Sequence, residues 1–144
     1  MSHPPIQMRR VLKASREKVF EALTDPDLIR LWMCPKDFEV ILIETDPRIG
    51  GRFRLEMRAP DGGIYPATGA YEEIRAPEKL VYSWLWEPIH ALAGIETRIS
   101  VELTRQGAET LLVMTHFGLP TENERRGHQK GWTGGLDKLE LLFQ

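Results

Sequence analysis

Cysteine is almost absent: Cys34 is the single one in 144 residues. That excludes an intrachain disulfide and a zinc site built on cysteine pairs, and it suits a reducing compartment. A dominant charge is missing too. Nineteen Lys plus Arg face twenty-one Asp plus Glu, for a formal net charge of −2. A near-neutral surface argues against work that consists of neutralising phosphates, so nucleic acid is not an expected partner. No run of about 18 apolar residues occurs, so membrane insertion is not expected. The opening Met-Ser-His-Pro-Pro lacks the basic start and apolar stretch of a signal peptide, and the expected location is cytoplasmic. There is no His-x-His or His-x-x-x-His spacing, no Gly-x-Ser-x-Gly elbow, no phosphate-binding glycine loop and no dinucleotide fingerprint. Neither a metal nor a cofactor is therefore expected, and no catalytic residue is assigned.

What is present is one ordinary domain, residues 1–144 with a core at about 6–143. With 42% hydrophobic residues, a chain of this length buries roughly 70% of its unfolded surface and needs no disulfide or metal staple. Ile6 to Leu12 reads as a strand at a sheet edge. Ser15 caps a helix carrying Val19, Phe20 and Leu23, and Asp25-Pro26-Asp27 restarts a second short helix carrying Leu28, Leu31 and Trp32. From Phe38 to Phe117 the period changes to two. Phe53, Leu55 and Met57 alternate with Arg52, Arg54, Glu56 and Arg58, and Thr97, Ile99, Val101 and Leu103 share one face of a later strand. Turns at Arg48-Ile49-Gly50-Gly51, Pro60-Asp61-Gly62-Gly63, Arg75-Ala76-Pro77-Glu78 and Gln106-Gly107-Ala108 divide this stretch into an antiparallel meander. Thr121 and Glu124 fit a capping box, and His128, Trp132, Leu136, Leu139 and Phe143 form one stripe along the helix that follows. A one-sided sheet must cover its apolar face, and the last helix is the element long enough to do so. The expected class is α+β: a curved antiparallel sheet of six or seven strands gripping a long C-terminal helix, with two short helices after the first strand.

Two features bear on whether that grip is packed solid. Gly131, Gly134 and Gly135 each cost about 1 kcal/mol relative to Ala inside a helix; they either allow close backbone approach or leave space beneath. Trp32, Tyr71, Tyr82, Trp84, Trp86 and Trp132 are large amphipathic side chains on inward elements, which serve a ligand cavity or an ordinary core. If a cavity is there, its expected lining is Trp32, Phe53, Leu55, Met57, Tyr71, Trp84, Trp86, Ile99, Val101, His116, His128, Trp132 and Leu136.

Three local patterns occur in order: Asp46-Pro47-Arg48-Ile49-Gly50-Gly51-Arg52-Phe53, then Gly69-Ala70-Tyr71-Glu72-Glu73-Ile74 through Pro77-Glu78-Lys79-Leu80-Val81, then Gly131-Trp132 ahead of Leu136-Asp137-Lys138-Leu139. As an ordered set they resemble the START-like (SRPBCC) superfamily, in the AHSA branch named for the activator of the 90-kDa heat-shock protein's ATPase. The resemblance implies a helix-grip fold with a cavity for an apolar or amphipathic small molecule, and an association with stress response. It brings no shared catalytic motif. The co-chaperone role of the named eukaryotic members depends on a separate domain for which this chain has no room, so a chaperone partner, like a homodimer, stays open.

The remaining chemistry is sparse. His116 and His128 can reach a cavity, where a neutral imidazole serves as base or hydrogen-bond partner. Cys34 follows a short helix near a cavity mouth, with Lys36 as the nearby cation and an inert thiol as the expectation. Arg9-Arg10, Arg125-Arg126, Asp137, Lys138 and Glu140 read as solvated surface. The favoured function is binding of a small hydrophobic or amphipathic ligand, lipid-like or polycyclic. Two alternatives remain: a cyclase or hydrolase using His128, Glu56 or Glu73 as base, or an interaction module with a filled cavity and an apolar patch around Pro88 to Leu92.

Overall fold

Alternation along the chain builds the sheet. The computed structural model describes residues 3–88 and 90–144, so Ile89, inside the 87–95 loop, lies outside the described residues. Seven strands form: β1 (Ile6–Leu12), β2 (Glu39–Thr45), β3 (Arg52–Arg58), β4 (Ile64–Arg75), β5 (Lys79–Trp86), β6 (Thr97–Gln106) and β7 (Glu109–Phe117). They pair antiparallel in the order β1-β7-β6-β5-β4-β3-β2, with β1 and β2 at the two edges. In β3 the buried Phe53, Leu55 and Met57 alternate with outward residues, and β6 repeats the pattern from Thr97 to Leu103. Register shifts at Val40/Leu42 in β2 and Tyr71/Glu73 in β4 are bulges, which sharpen the bend of a sheet. Gly69, opposite Phe53 in β4, admits the Phe53 ring into space that any Cβ would occupy.

Three helices fill the concave side: α1 (Arg16–Thr24), α2 (Pro26–Ile29) and α3 (Glu122–Leu141). Their starts follow the sequence signals. Ser15 accepts from the Lys18 amide, Asp25 from the Asp27 amide, and Thr121 from the Glu124 amide. Half of the expected capping box is used otherwise, because the Glu124 carboxylate turns towards His128 instead of back to the cap.

The glycines of α3 divide between the two expected uses. A Cβ on Gly134 would collide with the Lys36 backbone nitrogen, and one on Gly135 would sit 3.0 Å from the Trp32 carbonyl. Both therefore serve close approach to the 32–36 segment. A Cβ on Gly131 would meet Pro35 Cγ at 3.4 Å, ordinary contact.

Several residues expected at the surface are structural ties. Arg10 of β1 reaches Asp137 at 2.6 Å and Glu140 at 3.1 Å, fastening the edge strand to α3. Arg125 donates to the Pro4 carbonyl at 2.7 Å and pairs with Glu122 at 2.6 Å. Lys138 is half-buried, with Nζ donating to the Pro35 and Phe38 carbonyls at 2.8 and 3.1 Å. Among the described residues no helix is long and apolar enough to cross a membrane.

Candidate functional site

Between the N-terminal half of α3 and the sheet lies a cavity of about 490 Å³, inside the range of small-molecule sites. The sheet supplies Met57 from β3, Tyr65 from β4, and Trp84 and Trp86 from β5. The segment after α2 supplies Met33, Cys34, Pro35 and Phe38, and the 87–95 loop supplies His90. Helix α3 supplies Glu124, His128 and Trp132 on its inner stripe, with Asn123, Arg126, Gly127, Lys130 and Gly131 beside them.

The walls are aromatic and interlocked. Trp84 meets Trp86 edge-on at a centroid distance of 5.4 Å and Trp132 at 5.7 Å, the geometry that ring quadrupoles favour. Trp86 stacks flat on His90, 4.4 Å between centroids and 5° between planes. The indole N–H of Trp86 donates to His128 Nε2 at 3.1 Å, so a neutral His128 carries its proton on Nδ1, which donates to the Glu124 carbonyl at 2.8 Å. A second chain runs one layer deeper. Trp132 donates to His116 Nδ1 at 3.0 Å, His116 Nε2–H donates to Thr97 Oγ1 at 2.8 Å, and the Thr97 hydroxyl donates to the Trp84 carbonyl at 3.2 Å. The two imidazoles are thus fixed in opposite tautomers, and each has both nitrogens engaged.

Electrostatics agree with that wiring. Burial, reinforced by the neighbouring His128, pushes the His116 pKa from the usual 6.5 down to about 3. Burial also lowers His128, against the opposing pull of the Glu124 carbonyl and carboxylate. His90 is lowered mainly by burial, with Glu124 opposing and His128 assisting. All three are neutral near pH 7. Trp84 Nε1 is buried with no hydrogen-bond partner among the described residues.

Of the residues expected to line a cavity, five do: Met57, Trp84, Trp86, His128 and Trp132. His116 stands behind the wall, held by Trp132 and Thr97. Trp32, beyond the end of α2, is wholly buried, its indole donating to the Ala22 carbonyl at 2.8 Å, so it ties the segment after α2 to α1 instead. Leu55, Ile99, Val101 and Leu136 are packed in the core. Phe53 and Tyr71 sit with Tyr82 around a void of only about 10 Å³, closed from above by Leu23 and Ile29; burial there raises the Tyr71 hydroxyl to about 12. Phe38, Tyr65, His90 and Glu124 were not expected at the wall. Tyr65 had a signal, since it shares a sheet face with Ala67 and Tyr71, and so had Glu124, one helical turn before His128 on the same stripe.

Three chemical expectations need correction. The cation beside Cys34 is Lys138, with Nζ 3.0 Å from Sγ, while Lys36 is exposed. Glu56 and Glu73 pair with Arg54 and Arg75 and do not reach the cavity wall. Of the stretch expected to form an apolar patch, Pro88 to Leu92, the described residues show Leu92 buried, with His90 Nδ1 accepting from the Leu92 amide at 3.0 Å. Among the described residues no three His, Cys, Asp or Glu side chains are placed to hold a metal ion.

Comparison with known proteins agrees with the fold. The sequence profile of the family described as Activator of Hsp90 ATPase homolog 1-like protein matches residues 13–144. A crystal structure of a protein from Chromobacterium violaceum superposes with a TM-score of 0.88 at 26% identity, covering 97% of this chain and 96% of that one. A protein from Nitrosomonas europaea gives 0.82 at 24%, covering 96% and 93%. The AHSA1 protein from Silicibacter pomeroyi gives 0.84 at 21%, covering 95% of each. At such identities the last two show the fold alone. None of the curated proteins matches the sequence.

Proposed function

Since the chain belongs to the family of Activator of Hsp90 ATPase homolog 1-like proteins, with the helix-grip fold, we propose that it binds a small hydrophobic or amphipathic molecule between the sheet and α3. The observation that carries this reading is the cavity of about 490 Å³ walled by Phe38, Tyr65, Trp84, Trp86 and Trp132. Rings offer large apolar area at little entropic expense, and a preformed hollow spares a ligand the work of opening one. The reading as an enzyme has less support. A general base needs a free lone pair, and those of His116 and His128 already accept from indole N–H groups.

Thermal-shift and tryptophan-fluorescence titrations against apolar acids, alcohols and polycyclic compounds test the proposal. A ligand at a hundred times its Kd stabilises the fold by about 2.7 kcal/mol, growing with the logarithm of its concentration, while the fluorescence change saturates. Gly131→Leu puts a side chain into the hollow with only Pro35 nearby, and is expected to keep the fold but lose the response. Unchanged binding in that folded variant would place the ligand elsewhere.

A further inference from the structure

Resting on the reading of the cavity as a ligand site, we infer that its occupant is a free organic acid, with the acidic group at the rim against Arg126 and Lys130 and the apolar body inside on Trp84 and Trp86. Arg126 and Lys130 are four residues apart on α3, so they share one helix edge; both are exposed and both line the cavity. The other cations of this helix are used within the fold: Arg125 on Glu122 and Pro4, Lys138 on backbone carbonyls. Among the described residues neither Arg126 nor Lys130 has a carboxylate in salt-bridge reach. The one carboxylate on the wall is Glu124. Its side chain is only 18% exposed and faces His128 Nδ1 at 3.7 Å, which leaves two cations outward at the rim against one anion turned inward. The first turns of α3 add the positive end of a 20-residue helix.

The opposite charge deserves equal weight, because aromatic walls next to a carboxylate also receive ammonium groups by cation–π attraction. Here His90 already occupies one face of Trp86. A cation entering the mouth would also pass two like charges before meeting Glu124. A two-chain membrane lipid is the other possible source of an acidic group, and a hollow of about 490 Å³ suits one small molecule better.

Three probes of one shape decide the matter: pyrenebutyrate, pyrenebutanol and pyrenebutyl ammonium, followed by energy transfer from tryptophan. Pyrenebutyrate is expected to bind about five- to tenfold more tightly than the alcohol, with the ammonium weakest, the scale of two exposed ion pairs. The double variant Arg126→Gln with Lys130→Gln is expected to erase that preference while leaving alcohol binding and the melting temperature in place. Equal affinities, or the ammonium binding best, would overturn the acid assignment and leave the cavity reading standing. No binding of any probe would overturn both. Displacement of pyrenebutyrate by phosphatidylglycerol vesicles, with the protein sedimenting on them, would overturn the free acid in favour of a lipid.

Discussion

The two halves of α3 face the same sheet and follow the same period, yet one is packed solid and the other roofs a hollow. Towards the C-terminus, Leu136 and Leu139 are fully buried, and Gly134 and Gly135 let the backbone settle onto residues 32–36. Towards the N-terminus the same stripe carries Glu124, His128 and Trp132, wired to the walls by hydrogen bonds. The difference teaches that period decides which face of a helix turns inward, while residue type decides whether that face fills the space it covers. Apolar chains interdigitate, whereas polar tips must keep their partners and hold the helix at a distance.

The strongest way to break this contrast is Leu136→Ala. Removing a fully buried Leu side chain is expected to cost about 2–5 kcal/mol in urea unfolding, because packed surroundings collapse poorly into the space left behind. A loss well under 1 kcal/mol would mean that the C-terminal half is as loosely filled as the other.

Acid is expected to sharpen the contrast, because the titrating groups sit on the hollow side. His116 has a folded pKa of about 3 against an ordinary 6.5, lowered first by burial and then by His128. His128 and His90 shift the same way, with Glu124 as the facing carboxylate. Below 6.5 the unfolded chain takes up protons that the folded one refuses. The stabilisation is therefore complete above pH ~6.5 and lost as pH falls towards the folded values, by about 1.4 kcal/mol per pH unit for each proton. Urea midpoints from pH 7 to pH 4.5 should fall on that scale. His116→Gln, which keeps a donor and an acceptor between Trp132 and Thr97, should remove about one proton from the slope. An unchanged slope would show that His116 is not the group refusing the proton.

Much of this architecture was legible in the sequence, and what escaped has a common cause. Alternation in Arg52–Arg58 and Thr97–Leu103 fixed strand faces, and Thr121 marked the start of α3. The same alternation turns Phe53, Tyr71 and Trp84 inward without saying which part of the helices each will meet. Leu23 and Ile29 of α1 and α2 cap the end where Phe53 and Tyr71 sit, so those rings became core, while Trp84 and Trp86 at the end of β5 were left over open space. Cys34 and Lys138 are 104 residues apart, and no local pattern announces such a meeting. The spacing of Glu124 permits a capping box, but its carboxylate turns to the imidazole one turn further on.

The smallest effect separates the halves most directly, because the same change is made on both sides of one helix. Gly134→Ala and Gly127→Ala each gain intrinsic helix preference of about 1 kcal/mol. At position 134 the new methyl runs into the backbone of Lys36, with its nitrogen in collision and its Cα at 3.0 Å, and main chain cannot swing away as a long side chain can. The helix must lift from the 32–36 segment, so a net loss of roughly 1–3 kcal/mol is expected. At position 127 nothing lies within 4 Å of the new Cβ, and the variant should gain about 0.5–1 kcal/mol in thermal or urea unfolding. If both variants were stabilised alike, close approach would not be what the C-terminal glycines provide. Opposite signs from one substitution, two turns apart, are what a helix docked at one end and standing off at the other requires.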